Sequence, residues 1–131
     1  MISVDTSVVV RYLVGTPEDQ AQRAARLVDG PLDIAISLVV VAESAHVLRS
    51  VYRLGRAAIV DRLIELMTRE NVTALEISKA DAIDALVRAR AFESSPITDA
   101  LIAAAGRSLG ALPIYTFDHR FRRLGSAVAT P

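Results

Sequence analysis

Short apolar segments alternate with longer helical stretches along the chain, and this alternation limits the possible folds more than any other property of the sequence. The segments of strand type lie at residues 2–4, 32–36, 71–75 and 112–116. Strands alternating with helices pair mainly in parallel, with the helices covering the sheet. The pattern therefore predicts an α/β fold with a mostly parallel central sheet. At 131 residues, the chain is expected to form one domain over 1–131.

Capping residues and helix breakers predict where the helices begin and end. Ser37 and Thr98 each have a hydroxyl that can accept the first free backbone N–H groups of a helix. Residues 125–131 are expected to be loosely held. The predicted helices cover residues 7–14, 17–29, 38–52, 56–69, 78–92 and 99–109.

The counts of charged and reactive residues exclude several classes of function. Fifteen acidic and fifteen basic residues give zero net charge, which excludes a uniformly basic nucleic-acid wrapper but not a local basic face. The absence of cysteine excludes disulfides, thiolate nucleophiles and cysteine-bound zinc, and two histidines cannot make a three-histidine site. No apolar run approaches the roughly 20 residues that span a membrane, and no secretory signal is visible. The sequence therefore predicts a cytoplasmic protein without membrane contact.

Four acidic residues stand where the apolar pattern predicts burial, namely Asp5, Glu43, Asp99 and Asp118. Burying a charged carboxylate costs several kcal/mol or forces its protonation. A hard divalent cation would supply a common counter-charge, and oxygen ligands favour Mg²⁺ or Mn²⁺. Asp5 and Asp118 each follow a strand, so we expect the four to meet at the carboxyl edge of the sheet.

Each carboxylate also has an ordinary structural explanation. Asp5 suits a turn or an N-cap, Asp99 the first turn of a helix, and Asp118 an Asx turn. Glu43 would be solvated if its helix were rotated. The functional interpretation depends on all four occurring together. Nearby His46 is expected to be a structural residue beside its helix.

The residues around these acids form four short motifs in order along the chain. They are Val4-Asp5-Thr6-Ser7, Val41-Ala42-Glu43, Thr98-Asp99-Ala100-Leu101-Ile102-Ala103-Ala104-Ala105, and Thr116-Phe117-Asp118 followed by Phe121 and Leu124. Over essentially its whole length the chain resembles the PIN-domain ribonucleases, and most closely the VapC-type toxins of toxin–antitoxin pairs. The resemblance implies a three-layer α/β/α sandwich with a mostly parallel central sheet.

The resemblance also implies an acidic quartet that holds one or two Mg²⁺ or Mn²⁺ ions. Carried over position by position, the catalytic and metal-ligating residues are Asp5, Glu43, Asp99 and Asp118. Thr6 and Thr116 match hydroxyl positions that would orient a carboxylate or a metal-bound water. Ser7 stands where many members of the family have asparagine.

The activity implied by the resemblance is that of a Mg²⁺-dependent endoribonuclease, the toxin of a type II toxin–antitoxin system. Its implied partners are an RNA substrate, a cognate VapB-type antitoxin and a second copy of the chain. For the residues after Asp118, contact with phosphate and an ordinary solvated turn both stay open; these residues are His119, Arg120, Arg122 and Arg123.

Two other functions are compatible with the residues. A non-catalytic PIN-like interaction module needs no metal, and a nuclease acting on DNA would use the same carboxylates. A phosphatase with an aspartyl nucleophile is disfavoured, because Ser7 stands where such enzymes place a second aspartate.

Overall fold

Strands and helices alternate along the chain in the computed structural model, which describes residues 1–93, 95–125 and 127–131. The elements in chain order are β1 (Ile2–Ser3), α1 (Thr6–Val14), α2 (Glu18–Val28), β2 (Ile34–Ile36), α3 (Leu38–Ser50), α4 (Arg56–Met67), β3 (Val72–Ala74), α5 (Lys79–Ala91), α6 (Ile97–Ser108), β4 (Ile114–Tyr115), a 3₁₀ helix (His119–Leu124) and β5 (Val128–Ala129).

A parallel sheet in the order β1-β2-β3 lies at the centre of the fold. In its register Ile2 pairs with Ile34, and Ile34 pairs in turn with Val72. All three residues of β2 are buried, as expected for a central parallel strand with helices on both faces. The predicted three-layer α/β/α fold with a parallel sheet is confirmed.

The C-terminal strands differ from the prediction. Instead of extending the central sheet, β4 pairs in parallel with β5 in a separate two-stranded unit. The expectation that residues 125–131 are loosely held is therefore wrong for Val128–Ala129, and Ser126 lies outside the described residues. A two-residue strand is too short to show periodicity, so only its partner identifies it.

Side-chain capping positions several helices as predicted, with one exception. The Ser37 side chain accepts a hydrogen bond from the Val40 N–H at 3.2 Å at the start of α3. Thr98 was expected to cap its helix but lies inside it, because α6 begins at Ile97 with Pro96 as the N-cap residue. The ring of Pro96 fixes its φ at −59°, which allows the helix to begin directly after it.

Helix α3 is the element around which the predicted site residues are placed. It packs against α1, α4 and α6, and α6 packs against the 3₁₀ helix. Leu48 of α3 is fully buried in the core, together with Val10 of α1 and Leu101 of α6. The helices that carry or follow the four acids are thus held in one packed group. Within the described ranges, no helix is long and apolar enough to cross a membrane.

Candidate active site

Asp5 follows β1 and is the N-cap residue of α1. Its Oδ1 accepts hydrogen bonds from the Ser7 hydroxyl at 2.6 Å and from the backbone N–H groups of Ser7 and Val8 at 3.0 and 3.3 Å. These bonds, led by that from the Ser7 hydroxyl, lower the pKa of Asp5. The predicted burial is wrong, because the chain turns from β1 into α1 at the surface and leaves Asp5 exposed. Its Oδ2 accepts no hydrogen bond from a described residue and is open to a ligand.

Glu43 lies on α3 and is connected to α1 through Thr6. The Thr6 hydroxyl donates to Glu43 Oε2 at 2.6 Å. Glu43 is exposed, so its predicted burial is also wrong, and the alternative of a solvated glutamate describes it better. Both residues line a cleft of about 370 Å³ that Asp5 also lines. The structure therefore brings Asp5 and Glu43 to one open cleft between two packed helices.

Asp99 lies in the first turn of α6 and is half-buried. Burial raises its pKa, and the Asp118 carboxylate raises it further, while Arg120 opposes both effects. The influence of Asp118 shows that the two carboxylates are close enough to interact electrostatically. Asp99 and Asp118 form a second pair of acids, near the N-terminal end of α6.

Asp118 is the N-cap residue of the 3₁₀ helix and is paired with Arg120. Arg120 donates to Asp118 Oδ2 from Nη2 at 2.6 Å and to both carboxylate oxygens from Nε at 3.0 Å. The Arg120 side chain, with its backbone N–H, lowers the pKa of Asp118 to about 2. The Thr116 hydroxyl accepts from the backbone N–H of Asp118 at 2.9 Å. Thr116 therefore fixes the backbone of Asp118, whereas Thr6 contacts a carboxylate directly.

The four predicted residues are thus placed as two pairs. Asp5 and Glu43 share a cleft, and Asp99 and Asp118 interact. Among residues 1–93, 95–125 and 127–131, no group of three or more histidine, aspartate or glutamate side chains is positioned to hold a metal ion. Convergence of all four acids on one ion stays a prediction.

The donor chemistry of the two pairs fits a hard divalent cation. Carboxylate oxygens are the preferred protein ligands of Mg²⁺. Burial, and after it the Asp118 carboxylate, raise the pKa of Asp99, and a nearby cation would favour its charged form. In the structure, Arg120 supplies part of this positive charge, because it pairs with Asp118 and lowers the pKa of Asp99.

The residues after Asp118 form the exposed side of the 3₁₀ helix. His119, Arg122 and Arg123 are exposed, and nothing in their placement assigns them a role. The sequence reasoning missed a different group, in which His46 lines a cavity with Arg49 and Arg56. His46 is exposed and is not a core residue. The three-residue spacing of His46 and Arg49 on α3 was the available signal, because residues at that spacing share a helix face.

Comparison with known proteins identifies the family. A family model described as the PIN domain matches residues 2–127, which is nearly the whole chain. No curated protein matches the sequence. PIN domains are generally metal-dependent nucleases and typically use divalent metals, so the match favours a nuclease. On its fold and on this match, the chain belongs to the PIN domain family.

Proposed function

We propose that the chain is a Mg²⁺-dependent endoribonuclease and the toxin of a type II toxin–antitoxin pair. The observation that carries the proposal is the pairing of the acids: Asp5 and Glu43 line one cleft, and Asp99 interacts with Asp118. Family membership supports a nuclease, and RNA as substrate follows from the resemblance of the four motifs to the VapC-type toxins.

The residues that would hold Mg²⁺ or Mn²⁺ are Asp5, Glu43, Asp99 and Asp118. A divalent cation held there would neutralise phosphate charge and supply Lewis acidity toward the attacking water. The Oδ2 atom of Asp5 accepts no hydrogen bond from a described residue and could bind such an ion.

The neighbouring side chains hold these carboxylates in defined positions. The Ser7 hydroxyl fixes one oxygen of Asp5 and lowers the pKa of its carboxyl group. The Thr6 hydroxyl fixes one oxygen of Glu43. Preorganised acceptors of this kind reduce the cost of assembling a catalytic arrangement during reaction. Arg120 stabilises the negative charge of Asp118.

The proposed partners are a VapB-type antitoxin and a second copy of the chain, in the cytoplasm. The cleft between α1 and α3 offers exposed carboxylates to a basic side chain of an antitoxin. Val39 of α3 and Val51, the residue directly after α3, are 71% and 65% exposed, which leaves apolar surface for a homodimer. Coexpression with the product of a neighbouring short reading frame should relieve growth arrest by this chain. Analytical ultracentrifugation should show a dimer; a monomer at all concentrations contradicts the dimer.

Cleavage of matched oligonucleotides tests the activity. Single-stranded RNA and DNA of one sequence are incubated with the protein in Mg²⁺, in Mn²⁺ and in EDTA. We expect the protein to cleave the RNA but not the DNA, and to do so only when Mg²⁺ or Mn²⁺ is present. The Asp5→Asn variant should not cleave the RNA. Asp19→Asn is the matched control, because Asp19 is an exposed first-turn aspartate of α2 that does not line the cleft. Cleavage of DNA alone would favour the DNA nuclease. A protein that neither cleaves nucleic acid nor binds metal would favour the interaction module.

A further inference from the structure

A second cavity lies where α3, α4 and the start of α6 meet, and its ionisable lining is entirely basic. It has a volume of about 90 Å³ and is lined by Ala42, Ala45, His46, Arg49, Arg56, Ile59, Pro96, Ile97 and Thr98. A single water needs only about 10–15 Å³ of such space, so the cavity has room for a small anion. No acid is among these described lining residues. His46, Arg49 and Thr98 are exposed, so the cavity reaches the surface.

The acid that acts on the positive charge of Arg56 is Glu93, which lies outside the cavity lining. Burial lowers the pKa of Arg56, Glu93 outside the cavity lining raises it, and Arg49 lowers it by a smaller effect. Arg56 is also the first residue of α4, where the helix dipole disfavours a cation. Arginine stays charged under these conditions. Arg49 and Arg56 line the same space and repel each other, Glu93 offsets this repulsion for Arg56 from outside the lining, and an anion in the space would stabilise both guanidinium groups.

The hydrogen-bonding capacity of the cavity is largely unused. Arg56 donates from Nη1 to the Ala89 carbonyl at 2.9 Å, which anchors its side chain. The side chains of His46 and Arg49 make no hydrogen bond or ion pair with any described residue. The first turn of α6 has no side-chain cap, so its N–H groups add partial positive charge beside Thr98. Apart from the bond of Arg56 to Ala89, the side chains that line this space therefore donate to no acceptor among the described residues.

The cavity adjoins the proposed active site on two sides. Ala42 in its lining directly precedes Glu43 on α3, and Thr98 directly precedes Asp99 on α6. A polyanion that reaches these carboxylates would pass close to the cavity. A flanking phosphate is the part of such a polymer that arginine and histidine donors recognise best.

We propose that His46, Arg49, Arg56 and Thr98 form a subsite for a backbone phosphate of the nucleic acid, beside the phosphate that is cleaved. This proposal rests on the proposed nuclease function for the identity of its ligand. The phosphate binds through arginine donors and the Thr98 hydroxyl, and the subsite fixes the strand relative to the carboxylates without touching the reacting atoms.

Titration with inorganic phosphate tests the subsite without metal or cleavage. In EDTA, phosphate is added to ¹⁵N-labelled protein, and chemical shifts of the Thr98 amide and the His46 ring are followed. We expect saturable shifts at these groups, and a loss of affinity of about tenfold in Arg49→Gln, since hydrogen bonds to charged groups are of that strength. Arg26→Gln, an exposed arginine of α2, should leave the affinity unchanged. Shifts confined to other parts of the chain, or equal affinity in Arg49→Gln, would overturn the subsite.

Steady-state cleavage of RNA separates this proposal from the nuclease itself. Arg49→Gln should raise KM about tenfold and leave kcat unchanged, because it removes binding away from the reacting bond. If the Arg49→Gln variant cleaves RNA with an unchanged KM, the subsite is overturned but the proposed nuclease function is not. Phosphate binding at the cavity in a protein that cleaves no nucleic acid overturns the nuclease and supports the anion site. Thermal unfolding of Arg49→Gln confirms that the variant is folded.

Discussion

The Thr6 hydroxyl donates a 2.6 Å hydrogen bond to Oε2 of Glu43 and thereby joins the first turn of α1 to α3. Asp5 caps the same helix α1 and lines the same cleft. One hydroxyl therefore sets the position of Glu43 relative to Asp5. The proposed activity should be sensitive to this contact even though Thr6 carries no charge.

Replacing Thr6 with valine should lower kcat for RNA cleavage by about tenfold, since a hydrogen bond to a charged group is lost. Valine keeps the shape of the side chain, so the melting temperature should change little. Thr6→Ser keeps the hydroxyl and should retain most of the activity. Equal kcat for Thr6→Val and the unchanged protein would show that Glu43 does not need this bond.

Replacing Ser7 with alanine should raise the pKa of Asp5. The Ser7 hydroxyl bond is the largest cause that lowers this pKa, while the backbone bonds from Ser7 and Val8 would remain. Titration of the Asp5 carboxyl carbon by NMR measures the shift directly. An unchanged pKa in Ser7→Ala would mean that the backbone bonds, and not the Ser7 hydroxyl, lower the pKa of Asp5.

Two substitutions of Asp5 should separate its structural role from its proposed chemical role. Asp5→Ala removes the N-cap of α1 and should lower the free energy of unfolding by about 1 kcal/mol. Asp5→Asn keeps a side chain that caps equally well, so its stability should be close to that of the unchanged protein. Both should abolish cleavage. Chemical denaturation with parallel cleavage assays gives both readouts, and an active Asp5→Asn would remove Asp5 from the proposed ligands.

Replacing Arg120 with glutamine should change the acid stability of the protein. The pKa of Asp118 is lowered from 3.8 to about 2, chiefly by the Arg120 side chain. A lowered carboxyl pKa contributes stability above the unfolded pKa and loses it as the pH falls through the folded pKa, here from about 4 to about 2. Arg120→Gln should therefore show a smaller fall in melting temperature over this range.

The control for this loss of stability at low pH is Arg122→Gln. Arg122 is an exposed arginine of the same 3₁₀ helix. It should lose melting temperature between pH 4 and 2 as steeply as the unchanged protein, because Asp118 keeps its partner. Equal pH dependence in all three proteins would show that the Asp118–Arg120 pair contributes nothing to acid stability.

Much of the fold could be predicted from the sequence because its signals are local. Ser37 caps α3 as its hydroxyl suggested, and the apolar run at 32–36 indicated the strand β2, which the structure shows to be buried. Thr98 was misassigned as a cap because a hydroxyl at a helix start is a common cap, whereas the ring of Pro96 already fixes the start of α6. The pairing of β5 with β4 forms only in the folded chain, and strands of two residues are too short to produce a periodic pattern in the sequence.

The candidate site was only partly predictable. Apolar neighbours suggested that Asp5 and Glu43 are buried, yet both are exposed. Apolar residues before and after Asp5 belong to β1 and α1, which bury their own faces while the cap between them stays at the surface. The spacing of His46 and Arg49 on one helix face was the only signal of the second cavity, because the cavity itself forms where α3, α4 and α6 pack together.

Isothermal titration of Mn²⁺ into the purified, RNA-free protein tests the central claim most directly. The unchanged protein should bind the ion, and Asp5→Asn and Asp99→Asn should each lose binding by at least about tenfold, since each substitution replaces a proposed charged ligand. Asp19→Asn should bind as the unchanged protein does. Absence of Mn²⁺ binding in the unchanged protein, or equal binding in Asp5→Asn and Asp99→Asn, would contradict a metal-dependent nuclease centred on these carboxylates.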